Sequence, residues 1–150
     1  SLLCHPRVAA RSAGKDLPAF LVGNELIHVR LADLPRHHLW AQFLRQAGLS
    51  NVNFERGLVF DTATLAVQYA LSGEGVALVD ENLFAAEIRA GELVKPFENT
   101  LDDGYGYYLI THPEALSDPA VGLFRSWLIE RFGKTAPAAE AGIRLAVSNE

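Results

Sequence analysis

The sequence predicts an α/β domain: a mostly parallel sheet with helices on both faces. Three observations predict it. Apolar runs such as Leu58-Val59-Phe60 and Val76-Ala77-Leu78-Val79 have the length of buried strands. Between them, apolar residues recur at helical spacing, as Leu65, Ala66, Tyr69 and Ala70 do. The connections are short, and strands alternating with helices through short connections make a parallel sheet covered on its faces.

In order along the chain, Leu2-Leu3-Cys4 enters as a strand and His5-Pro6 turns out of it. Single helical turns are expected within 6–12 and at Asp16-Leu17. The next strand is 25–30, apolar at Leu26, Ile27 and Val29. After a loop at 31–34, Pro35 suits the first turn of a helix, where its missing N–H costs nothing. That helix runs to Gln46 with Leu39, Trp40, Phe43, Leu44 and Ala47 on one face. A strand over 53–60 then leads into the most compact piece of the pattern, 58–80, which reads strand, helix, strand. Asp61 or Thr62 caps its helix by accepting from an N–H that lacks an intrahelical partner. Ser72-Gly73-Glu74-Gly75 stops it. A helix over 81–90 turns Leu83, Phe84 and Ile88 inward, and 93–97 are extended. Residues 105–111 read as an aromatic and β-branched strand. Asp118 caps a last helix with Pro119 at its first position and Val121, Phe124, Leu128 and Phe132 along one face beside Trp127. Residues 134–150 read as an Ala-rich tail outside the core.

Composition narrows the classes of function. At 150 residues, 49% hydrophobic and 21% charged, the chain is one domain or part of one, with an ordinary globular composition. No apolar run approaches the roughly 20 residues of a spanning helix, so no membrane partner is expected. The single cysteine excludes an internal disulfide and agrees with a reducing compartment, so a cytoplasmic location is expected. A net charge of −5 argues against this piece gripping nucleic acid by itself. Methionine is absent, even from position 1, which leads us to expect a piece of a longer polypeptide lacking an upstream portion.

Catalytic signals are missing. His5, His28, His37, His38 and His112 lack the helical spacing of metal ligands, and Cys4-His5 are adjacent, a poor chelate. No Gly-x-Ser-x-Gly elbow offers a nucleophile. Gly73-Glu74-Gly75 follows a helix and precedes a strand, the reverse of a phosphate loop. Asp102-Asp103 sit in a Gly-flanked turn, where aspartates are ordinary. We therefore expect no enzyme, no metal and no cofactor. What remains is a helix start between two strands, presenting free N–H groups where ligands of α/β sheets sit. Thr62 and Thr64 stand there, and His28 and Arg30 lie near the C-terminal end of a neighbouring strand. Among the tyrosines of 105–108, alternation puts Tyr105 and Tyr107 on one face, either as packing residues or as a stacking wall.

The order Phe60-Asp61-Thr62, Ala70, then Gly73-Glu74-Gly75-Val76-Ala77-Leu78 resembles the effector-binding domain of LysR-type transcriptional regulators. Ala90-Gly91-Glu92-Leu93-Val94-Lys95-Pro96-Phe97, Gly106-Tyr107-Tyr108-Leu109 and Phe124-Arg125-Ser126-Trp127-Leu128 continue the match. So do Leu3-Cys4-His5-Pro6, Trp40, Leu44 and Ala47-Gly48-Leu49. The subgroup it looks most like is that of the glycine-cleavage and β-lactamase regulators, over residues 2–133. The resemblance implies a periplasmic-binding-protein type II-like fold and a partial effector-binding domain over 1–133. Residues from about 6 to 80 would form the second of two subdomains, and 83–133 would return into the first. An exposed apolar face, or a swapped dimer covering it, is then expected on the returning segment.

The resemblance also implies a cleft between subdomains for a small-molecule effector. Thr62, with Ala63 and Thr64, would form one wall; Tyr107 would face it, and His28, Val29 and Arg30 would border it. Asp80 stands near where many members carry a proline. DNA would be bound only through an upstream helix-turn-helix, by a homodimer or homotetramer. The alternative is a solute-binding protein of the same bilobal fold.

Overall fold

The computed structural model describes residues 1–104 and 109–132, which divide after Asp103 into two compact units. In the first, β1 (Leu2–Cys4), β2 (Leu26–Val29), β3 (Val59–Phe60) and β4 (Val76–Leu78) form one sheet in the order β1-β4-β2-β3. β2 runs parallel to both β3 and β4, and β1 is antiparallel to β4. The expected α/β class and mostly parallel sheet are therefore present.

Side-chain alternation explains why the strands read as unbroken apolar runs. Leu2, Cys4, Leu26, Val76 and Leu78 belong to one core cluster with Phe20, Leu21, Trp40, Phe43 and Leu44. Leu3, Ile27 and Ala77 belong to another with Ala66, Val67, Ala70 and Phe84. Successive strand residues point to opposite faces, so a strand covered on both sides can spare no polar position. α1 (Pro6–Arg11), α2 (Leu17–Val22) and α3 (His38–Gln46) serve the first cluster, and α4 (Ala63–Leu71) and α5 (Ala85–Arg89) the second. β1 is an edge strand, and its Cys4 exchanges backbone bonds of 3.1 and 2.8 Å with Val94.

Five local expectations are corrected. The turns expected near 6–12 and 16–17 are each six-residue helices, started by His5 and by Asp16, whose side chains accept from Arg7 N and Ala19 N. α3 begins at His38, not Pro35: residues 35–38 close a turn through a 2.9 Å bond from His38 N–H to Pro35 O, and His37 makes no side-chain cap. The strand expected over 53–60 shrinks to Val59–Phe60, because side chains take the carbonyls just before it. On α4 the buried stripe is Ala66, Val67 and Ala70, while Leu65 is exposed. Residues 81–84 are a 3-10 helix running into α5, and its tighter winding buries Phe84 but leaves Leu83 in solvent.

Beyond Asp103, the tyrosine strand expected over 105–111 falls partly outside the described residues; 109–111 have no regular structure. α6 (Pro119–Phe132) is capped as expected, Asp118 accepting from Ala120 N–H at 2.8 Å. Residues 110–127 expose apolar side chains, among them Ile110, Leu123, Phe124 and Trp127. Phe124 stacks on Trp127 with ring centroids 5.9 Å apart, and Arg131 lies over the Trp127 ring.

Candidate functional site

The parallel strands β2 and β3 end side by side. Val29 pairs with Phe60, and Arg30 N–H donates to Phe60 O at 2.8 Å. Beyond that rung Arg30 Nε meets Asp61 Oδ1 at 3.3 Å, both side chains largely exposed. Thr62 is in extended conformation, and its Oγ1 accepts from Leu65 N–H at 3.3 Å. Of the two candidate caps, Thr62 closes the helix and Asp61 is left to pair with Arg30. The edge therefore presents a balanced ion pair, two exposed threonines and the first-turn amides of α4.

The structure thus brings Val29, Arg30, Thr62, Ala63 and Thr64 to one edge. The His28 side chain is not among them. Alternation along β2 turns it to the face of Leu26, where it is 1% exposed and its Nε2 lies 2.9 Å from Arg56 O. Nδ1 is buried with no hydrogen-bond partner among the described residues. Tyr107 lies outside the described residues. Sequence reasoning missed the Arg30–Asp61 pair, although a signal existed: both residues directly follow an apolar strand, as neighbours in a parallel register would. It also missed Arg36, whose side chain reaches Glu55 O and Gly57 O.

Burial shapes the titratable groups. Burial holds the His28 imidazole below its ordinary value of 6.5, and the Arg36 charge pushes the same way, against the bond to Arg56 O. As pH falls below 6.5 the unfolded chain binds a proton that the native imidazole refuses, so stability is lost from that point down to the native pKa. Urea midpoints measured between about pH 7.5 and about pH 5.5 should fall, and His28→Gln should flatten that part of the decline; an identical decline in the variant would exclude His28 as its source. Burial also pushes the Cys4 thiol up to about 11, so Cys4 is a packing residue and no thiolate. No group of three potential metal ligands occurs among the described residues.

A shallow depression of about 230 Å3 lined by Asn24, Glu25, Asn53 and Arg56 lies at the opposite end of β2. α2 ends beside it, so the depression meets the C-terminal end of that helix, whose last carbonyls already accept from Gly23 N–H and Asn24 Nδ2. The strand-end edge is the better candidate on chemistry.

The sheet with helices on both faces superposes on LysR effector domains and has their periplasmic-binding-protein type II fold. The LysR substrate binding domain family matches residues 1–133, and the chain belongs to that family. The glycine cleavage system transcriptional activator of Escherichia coli (strain K12) is 30% identical over 129 residues, 86% of this chain and 41% of that protein. The HTH-type transcriptional activator AmpR of Citrobacter koseri is 31% identical over 130 residues, 87% of this chain and 42% of that protein. The chain thus spans about two fifths of the curated relatives it matches. Among solved structures, the effector domain of the transcriptional regulator AmpR of Pseudomonas aeruginosa superposes with a TM-score of 0.57 at 27% identity, covering 87% of this chain and 59% of that one. The AmpR effector binding domain from Citrobacter freundii gives 0.60 at 22% identity, over 90% and 64%, a likeness of fold alone.

Proposed function

We propose that this chain is the ligand-sensing part of a LysR-type transcriptional regulator and that its strand-end edge is one wall of the effector site. The observation that carries this is the meeting of the β2 end with the Thr62-capped start of α4, in a chain whose family match spans 1–133. Exposed first-turn amides and hydroxyls suit a carboxylate, an amide or another polar ligand group. A ligand bridging this wall and an opposing one shifts the closure equilibrium by as much as its affinities for the two states differ. Thr62, Ala63, Thr64, Val29 and Arg30 form the wall in this reading. Tyr107 is the further ligand residue that the family resemblance implies, and His28 supports the wall from behind.

The same reading places DNA contacts in a helix-turn-helix elsewhere in the polypeptide, with the protein acting in the cytoplasm as a homodimer or homotetramer and without catalysis. Among the described residues no helix is long and apolar enough to cross a membrane. The relatives are named as transcriptional activators, which favours a regulator over a solute-binding protein. The second subdomain begins near residue 6. For the return to the first, expected from residue 83, our reading takes a start after Asp103; it is supported by Phe84 and Leu93, buried in the same core as Ala66, and by Phe97 against Phe20.

Operator footprints of the full-length regulator, titrated with candidate metabolites, test the reading. An effector that alters the footprint should need about tenfold more ligand after Thr62→Ala, the effect of one hydrogen bond worth about 1.4 kcal/mol. The same variant should lose about 1 kcal/mol of stability with its cap. No ligand-dependent change for any metabolite, or an unaltered response in the variant, would sink the assignment.

A further inference from the structure

Four consecutive carbonyls precede the Arg30–Asp61 edge, and two residues take all of them. Arg36 donates from Nη2 to Glu55 O at 2.8 Å and to Gly57 O at 3.0 Å. His28 reaches Arg56 O with Nε2 at 2.9 Å, and its backbone N–H on Leu58 O, at 2.8 Å, is already the first ladder bond of β2 with β3. Both anchors are fixed. His28 belongs to β2 and is buried, and Gly57 lies against its ring, since a Cβ at that glycine would stand 3.2 Å from His28 Cδ2. Arg36 sits in the turn closed by His38 N–H and Pro35 O, beside the His37 ring, which packs 5.4 Å from Phe54.

Only Val59 and Phe60 pair with β2 before Asp61 and Thr62 begin α4, and both are only half-buried. Two rungs are too few to hold a strand in place. Slippage of one residue would move Asp61 away from Arg30 and turn Thr62 from the edge. Something upstream must set the register, and the side-chain clamp on 55–57 is directly upstream.

We propose that Arg36 and His28 are positioning residues for the α4 start: by holding the carbonyls of 55–57 with their side chains they set Asp61 opposite Arg30 and Thr62 at the open edge. The proposal rests on the reading of that edge as a ligand wall, and it deepens that reading by naming what sets the wall's geometry. Arg36 suits the task because the two N–H bonds of Nη2 are held in the guanidinium plane at a fixed angle, one for each carbonyl, whereas an ammonium's donors rotate freely.

Site-resolved amide exchange on the full 150-residue chain tests this without any ligand, so its outcome is independent of the footprint result. Arg36→Ala should speed exchange of the amides of 58–66 about tenfold, the loss expected from charge-assisted bonds to carbonyls, while amides of β1 and α1 keep their rates. The Arg30 Nε–H resonance should move toward that of an unpaired arginine, although Arg30 is untouched. Arg36→Lys should restore part of both effects. For His28, the variant His28→Phe fills the space of the ring without a donor for Arg56 O and should likewise speed exchange at 58–66 beyond any change in β1 and α1; exchange at 58–66 that rises no more than theirs would overturn the role of His28. Unchanged exchange at 58–66 in Arg36→Ala would overturn the proposal. So would a uniform rise that includes β1 and α1, which marks mere stabilisation, or an Arg30 signal that does not move.

Discussion

Gly57→Ala should destabilise the Ser1–Asp103 unit by about 3 kcal/mol or more, enough to leave much of the protein unfolded at ordinary temperature. An added Cβ would stand 1.9 Å from Leu26 O and 3.1 Å from Leu26 C, backbone atoms of β2 that cannot rotate aside. The backbone at Gly57 also has φ +123°, where an L side chain is strained even in open space. Gly48→Ala is the natural control. Its φ is +69° and nothing lies within 4 Å of the added carbon, so it should cost only about 1 kcal/mol of left-handed strain. Urea unfolding followed by far-UV circular dichroism separates the two. A Gly57→Ala midpoint as high as that of Gly48→Ala would mean that β2 and the 53–58 segment do not pack as described.

Trp40→Ala should cost about 3–5 kcal/mol, the usual range for emptying a large aromatic site. The indole is 1% exposed, meets Phe43 edge-on at 5.9 Å, and donates from Nε1 to Ile27 O at 2.9 Å. Trp40→Phe keeps most of the volume and withdraws only the donor, so it should cost about 1–2 kcal/mol. Fluorescence checks the assignment directly. The chain has two tryptophans, and Trp127 is 51% exposed. Trp40→Phe should therefore remove the blue-shifted component of native emission and leave the solvent-exposed one. Emission unchanged in position would place the buried indole elsewhere.

Much of the fold was legible because it depends on local pattern. Apolar runs located β1, β2 and β4, Asp118 with Pro119 marked the start of α6, and Ser72 with Gly73 marked the end of α4, where Gly73 has φ +83°. The helix start at Thr62 was legible for the same reason. The errors arose where a distant residue decides. Pro35 carries a sound helix-start signal, yet residues 35–38 are bent into a turn from which Arg36 reaches carbonyls about twenty positions away. The polar stretch 53–58 reads as the opening of a strand, but the carbonyls of 55–57 belong to the Arg36 and His28 side chains, a partnership that no local window contains. Leu65 looked buried because helical spacing names a stripe without saying which edge of it meets the sheet.

His28 shows the same limit at the site. Its position near a strand end was correct and its direction was not, because a one-residue change of parity moves a side chain from the edge of a cleft to the core. By itself, then, the sequence determined the α/β class, the order of elements, the lack of catalytic signals and the helix start at Thr62, all consequences of short-range periodicity and capping chemistry. Only the tertiary structure decided that Asp61 pairs with Arg30, that His28 is buried, and that Arg36 and His28 hold the approach to α4. Those contacts join residues remote in sequence, and their geometry exists only once the parallel register of β2 and β3 has formed.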